Sequence, residues 1–130
     1  MPLNPFLFST MDLDRSALQQ IVFTAFVAAA VDGFIDDDEI TAINGFAQNH
    51  WKMEWGPLQT FLRDVDDHVV EFYQTLGEED LEERLFNQIL PQLNLGSKSL
   101  LLELLTNLMQ ADQEIEQAEV RILERLKKSL

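Results

Sequence analysis

Two short acidic stretches carry the residue types most able to do chemistry. Val31-Asp32-Gly33-Phe34-Ile35-Asp36-Asp37-Asp38-Glu39-Ile40 returns eighty residues later as Ala111-Asp112-Gln113-Glu114-Ile115-Glu116-Gln117-Ala118-Glu119-Val120. Asp, Ile and Glu recur at the same three places: Asp32/Asp112, Ile35/Ile115 and Glu39/Glu119. Carboxylate oxygens at fixed spacing are hard donors and suit hard divalent cations. Asp32-Gly33 and then Glu39 also match the second half of an EF-hand calcium loop, in which the glycine makes the sharp turn and the glutamate chelates. The first half of that loop is missing. Its earlier carboxylates would fall at Ala28 and Ala30, and in the second copy at Leu108 and Gln110. The expectation is therefore a turn that offers Asp32, Asp36 and Glu39 as metal ligands, with Asp112, Glu116 and Glu119 as their counterparts. Calcium or magnesium is favoured by the oxygen donors, and zinc is less well served.

A second reading needs no metal. Asp36-x-x-Glu39 has the form of a capping box, and acidic side chains in a first helical turn are favoured by the helix dipole. A cap of this kind stabilises a helix by about 1 kcal/mol. It accounts less well for Asp32 and Asp112, which fall at the C-terminal end of the preceding helix, where the dipole disfavours negative charge. Local bonding of Asp to its own turn meets that objection in part. Both readings stand on the sequence.

The elements that must position these turns are helical. Apolar residues recur at helical spacing throughout and strand alternation is nearly absent. Asp12 or Asp14 can cap a first helix with Leu18, Ile21, Val22, Ala25, Phe26 and Ala29 on one stripe, ended at Asp32-Gly33. A second helix, from near Asp36, carries Ile40, Ile43 and Phe46. Pro57 can open a third, holding Phe61, Leu62, Val65, Val69, Phe72 and Tyr73 and stopping at Leu76-Gly77. A fourth runs from about Glu79 to a kink or early end at Pro91. Ser97 is placed to cap a fifth, with Leu101, Leu104, Leu105 and Leu108. A sixth carries Val120, Leu123 and Leu126. The apolar matches at Ala25/Leu105, Ala28/Leu108, Ala29/Met109, Ile43/Leu123 and Phe46/Leu126 extend the repeat over both flanking helices. The predicted fold is all-α: a compact bundle of about six to seven helices with two pseudo-repeated helical hairpins, in one domain over residues 1–130. Residues 1–11 are expected to be an irregular N-terminal segment.

Two turns of the form (Ala/Val)-Asp-x-x-Ile-x-x-x-Glu, each between amphipathic helices in an acidic all-α chain, resemble the TerB-like (tellurite-resistance) family. The resemblance extends from about Leu18 to Leu126, and its specific part is the two turns. The second turn departs by having Gln113 where the glycine is usual. The resemblance implies a helical bundle with an acidic face, divalent-cation binding through Asp32, Glu39, Asp112 and Glu119, and a link to tellurite and other chemical stress in bacteria.

Composition narrows the partners. With 23 acidic and 9 basic residues the net charge is −14, which disfavours nucleic acid and anionic membranes. Cations or a basic protein surface are the natural complements. No cysteine is present, so disulfides and thiolate chemistry are excluded. No signal peptide and no apolar run of membrane-spanning length is read, and a cytoplasmic location is expected. Arg121, Arg125, Lys127 and Lys128 near the C-terminus read as structural cations at a helix end. His68, four residues after Asp64, could form a ligand pair but reads first as a surface histidine. Trp51, Met53 and Trp55 could form a partner patch, though aromatics in such a turn more often cover the end of a core. No catalytic constellation is evident. The expectation is a non-enzymatic cation-binding domain. The alternative is a protein-interaction or self-association module whose acidic turns are only caps.

Overall fold

Asp14 starts the first helix, α1 (Arg15–Ala29). Its Oδ1 accepts the Ala17 N–H at 2.7 Å, and its carbonyl accepts the Leu18 N–H at 3.0 Å. The structure is a computed structural model that describes residues 14–30, 37–76, 80–111 and 117–128, apart from side chains at 109–111 and 117–119. The remaining elements follow in order: α2 (Asp37–His50), a 3₁₀ turn (Met53–Trp55), α3 (Leu58–Leu76), α4 (Leu81–Arg84), a π turn (Leu85–Ile89), a second 3₁₀ turn (Leu90–Gln92), α5 (Leu95–Ala111) and α6 (Gln117–Lys128). Among the described residues there is no strand, and the chain is an all-α bundle. Gly33, Gly77 and residues 1–11, for which a turn, a stop and an irregular segment were expected, lie outside the described residues.

α1 is the centre of the bundle. It packs on α2, α3, α5, α6 and the π turn. Its buried side chains include Leu18, Ile21, Val22, Ala25, Val27 and Ala28, which point to several sides of the helix rather than along one stripe. A helix that is apolar nearly all round belongs in a core. The single buried hydroxyl on it, Thr24, donates to the Gln20 carbonyl at 2.6 Å and so carries no open hydrogen bond inward. The small residues at its C-terminal end, Ala25, Ala28 and Ala29, leave space for α5 to cross closely. α5 packs on α1, α2 and α6, so the helix pairs α1–α2 and α5–α6 lie against each other. Ile21 and Leu101, Thr24 and Leu104, Ala25 and Leu105, and Ala28 and Leu108 are buried at positions eighty residues apart.

Four local expectations are corrected. α5 is capped by Asn94, not Ser97: the Asn94 Oδ1 accepts the Ser97 N–H at 2.7 Å, and the helix begins at Leu95. Asn is among the strongest N-caps, so the earlier residue takes the role. On α2 the inward positions are Glu39, Ile43 and Ala47, which are one helical turn apart, and Ile40 is 36% exposed. On α6 they are Ile122 and Leu126, with Val120 exposed, and on α3 Tyr73 is exposed. The fourth helical segment ends at Pro91 as expected, in the 3₁₀ turn Leu90–Gln92, and its winding also changes before that. After four residues of α-helix the backbone widens, and the Leu90 N–H donates to the Leu85 carbonyl, five residues back. That wider turn lets Leu85 and Leu90 both be buried.

Trp51 and Trp55 cover one end of the core. Trp51 lies 4.9 Å from the Phe61 ring and 5.3 Å from Trp55, and its Nε1 donates to the Gly56 carbonyl at 2.9 Å. Gly56 holds φ at 90°, a conformation that other residues adopt only with strain. Only Met53 of this group is fully in solvent. The C-terminal cations clamp α6 to α4. Arg121 donates to the Glu82 Oε1 at 2.9 Å, Arg125 lies 3.9 Å from the Oε2, and the Arg125 guanidinium stacks 3.7 Å from the Phe86 ring centre. The hydrogen bond to Glu82 holds the Arg121 guanidinium above its already high ordinary pKa.

Candidate functional site

The first turn of α2 carries three consecutive carboxylates that face different ways. Asp37 and Asp38 are exposed, whereas Glu39 is 3% exposed. Helical geometry forces the difference. Glu39 precedes Ile43 and Ala47 by four and eight residues and so shares the face turned to the core. A void of about 10 Å³, room for no more than one water, lies beside it. The walls are Ala28 and Ala29 of α1, Leu105 and Leu108 of α5, and Ile122 and Leu123 of α6. Among the described residues lining this void, Glu39 is the only ionisable one and the others are apolar.

An ionised carboxylate with no partner in such a place costs several kcal/mol. Two features of the position offset that cost. Glu39 takes part in at least one hydrogen-bonding or electrostatic interaction. It also sits at the third position of α2, where the helix dipole favours negative charge.

The placement bears on the repeated motif. Leu123 follows Glu119 by four residues on α6, so the helical turn that carries Glu119 lies one turn, about 6 Å along the axis, from the wall that Glu39 touches. Asp32, Asp36, Asp112 and Glu116 lie outside the described residues, as does the side chain of Glu119. Of the six expected ligands, Glu39 is the one whose side chain is placed. Among the described residues, no three His, Asp or Glu side chains gather in a metal-ligating group.

The pair of Asp64 and His68 is not assembled as a ligand pair. The His68 Nδ1 lies 2.7 Å from the Asp64 main-chain carbonyl and is satisfied as a donor to it, while the Asp64 carboxylate turns to Arg15 at 3.6 Å. The Gln19 Nε2 is 3.4 Å from the same ring nitrogen; because the single Nδ1 hydrogen is already given to the Asp64 carbonyl, this is a close approach rather than a second hydrogen bond. His50 stacks on Phe46, with ring centres 4.5 Å apart.

A feature that motif reading missed is an open groove of about 770 Å³ between α1 and α3. Phe23 and Phe72 meet edge to face on it, with ring centres 5.7 Å apart, and Val65 adds to the apolar part. Gln19, Gln20, His68 and Glu71 form polar walls. The signal was present in the sequence as Ser16, Gln19, Gln20 and Phe23 on one side of α1, but a glutamine stripe with one aromatic is also an ordinary solvated face.

No family model matches the chain, nor does any curated protein or any solved structure. No helix among the described residues is long and apolar enough to cross a membrane.

Proposed function

We propose that this chain is a non-enzymatic, acidic helical domain, similar to the TerB-like family, that binds a divalent cation between its two acidic turns. Asp32, Asp36 and Glu39 supply carboxylates from the first turn, and Asp112, Glu116 and Glu119 from the second. Calcium or magnesium is the preferred ion because every donor is a hard oxygen. The role is that of a cation-responsive module in a chemical-stress response.

The observation that carries this reading is the position of Glu39. A capping glutamate can do its work from the helix surface, with its carboxylate in water. Glu39 instead faces inward where the two helix pairs meet, lining a void with Leu123, which is one helical turn beyond Glu119 in α6. A cation at that junction would join the pairs and meet a carboxylate that already stands there.

Thermal unfolding tests it. The protein is freed of metal with EDTA and melted with added calcium, magnesium or zinc. At a hundredfold excess over Kd a real site adds about 2.7 kcal/mol, which is roughly 10 °C for a chain of this size. Calcium or magnesium is expected to raise the midpoint of the parent and to leave that of Glu39→Gln combined with Asp32→Asn unmoved. The quantity read is the ion-induced shift, so a general loss of stability in the variant does not obscure it. A parent protein that responds to no ion overturns the proposal.

A further inference from the structure

α6 is a basic element on an acidic chain. It carries four Lys or Arg and two Glu, in a protein of net charge −14. Its apolar hold on the core is slight. Among its described side chains two are buried, Ile122 and Leu126, against eight on α1. A helix with few buried apolar contacts lies at the low end of local stability and can open without the rest of the fold.

Ionic contacts supply the rest of the attachment. Arg121 and Arg125 both reach one carboxylate, that of Glu82, at 2.9 and 3.9 Å. The Glu82 side chain is 15% exposed, whereas the two arginines are 56% and 44% exposed. An isolated surface pair contributes little, but charges that converge in a network contribute measurably. The Arg125 guanidinium also stacks on Phe86. The other side of the clamp is fixed to the body. Arg84 of α4 donates from Nη1 to the Thr75 carbonyl at 3.2 Å and lies 4.7 Å from the Phe72 ring centre, and the next residue, Leu85, is fully buried. α4 therefore belongs to the bundle, and α6 is what it holds.

What α6 covers is the void beside Glu39. Ile122 and Leu123 form one wall, while Ala28, Ala29, Leu105 and Leu108 come from α1 and α5. Lifting α6 removes its two wall residues together and leaves the others in place. We propose that α6 is a strap, fastened through Glu82, that lifts as a unit and opens the Glu39 junction to solvent. The strap does not depend on the cation reading, and either can fail without the other.

The chain has no cysteine, so a single introduced thiol reports on access. Ala29→Cys places one in the wall of the void, and Val22→Cys places one in the core away from it. Each is made in the full chain and treated with a neutral dipyridyl disulfide. The protein thiolate attacks the reagent, a mixed disulfide forms, and the pyridine thiol that leaves is read by its absorbance. The Ala29→Cys thiol is expected to react about tenfold faster than the Val22→Cys thiol, because local opening is more frequent than global unfolding. Adding Glu82→Gln should quicken it roughly fivefold further, the upper size of such a pair, and leave Val22→Cys unchanged. Raising sodium chloride from about 0.01 to 1 M shortens the Debye length from roughly 30 to 3 Å. It should quicken Ale29 labelling relative to Val22 labelling, although screening steadies the acidic chain as a whole.

Discussion

Glu39 and Ile40 are adjacent in sequence and opposite in fate. The glutamate is buried and the isoleucine is on the outside. Hydrophobicity alone would place them the other way round, as the apolar reading of α2 did. The inward stripe of α2 is set by Ile43 and Ala47, both fully buried, and Glu39 is one turn before them. This register makes a prediction at single residues. Ile43→Ala should cost about 2–5 kcal/mol, the range for a buried aliphatic truncated in a packed core. Ile40→Ala should cost well under half as much. Urea unfolding of the two variants checks it, and equal losses would mean that the register is wrong. For Glu39 the sequence supplied the residue type and the spacing. Its burial depends on where α5 and α6 cross, which no local pattern encodes.

At the scale of elements, the helix boundaries follow local chemistry closely. Asp14 caps α1, α3 follows Pro57, and α5 follows Asn94. Asn94→Ala should therefore destabilise the protein by about 1 kcal/mol, the usual worth of such a cap, and amide exchange in the first turn of α5 should quicken. An Asn94→Ala variant indistinguishable from the parent would return the capping role to another residue. Other features were less legible. The stripe read on α1 was correct as far as it went, but the helix contacts neighbours on nearly every side, so Val27 and Ala28 are buried as well. The expected kink or early end at Pro91 is the end of the fourth helical segment, and the π turn before it was not read. That turn brings Leu85 and Leu90 both into the core, a tertiary requirement that local pattern does not show. The Arg121–Glu82 pair joins residues 39 positions apart, and a helix-dipole argument on the C-terminal cations could not find it. The helical class, the order of elements and the packing of one helix pair on the other were legible because helical periodicity is local and repeated. The groove was not, because its walls face each other only in the fold: Gln19 and His68 are 49 positions apart in the chain.

At the scale of the molecule, the net charge of −14 works against compactness, since like charges repel most strongly when the chain is folded. Screening by salt should relieve this. Raising sodium chloride from about 0.01 to 0.15 M shortens the Debye length from roughly 30 to 8 Å, and the midpoint of thermal unfolding should rise. Calcium or magnesium at matched ionic strength should raise it further if cations are bound rather than only accumulated around the surface. Identical midpoints at matched ionic strength would reduce the effect to screening alone.

The central claim is the proposal that one divalent cation is held by carboxylates of both acidic motifs, with Glu39 where the helix pairs meet. Manganese, which takes the same hard oxygen ligands, can be added in substoichiometric amounts to ¹⁵N-labelled protein, and the paramagnetic broadening of each amide measured. The account predicts that amides in the first turn of α2 and in the first turn of α6 broaden together, at the same manganese concentration, and that Glu39→Gln abolishes both. Broadening limited to the Asp37–Asp38 surface, or spread evenly over the acidic faces and unchanged in Glu39→Gln, would contradict it.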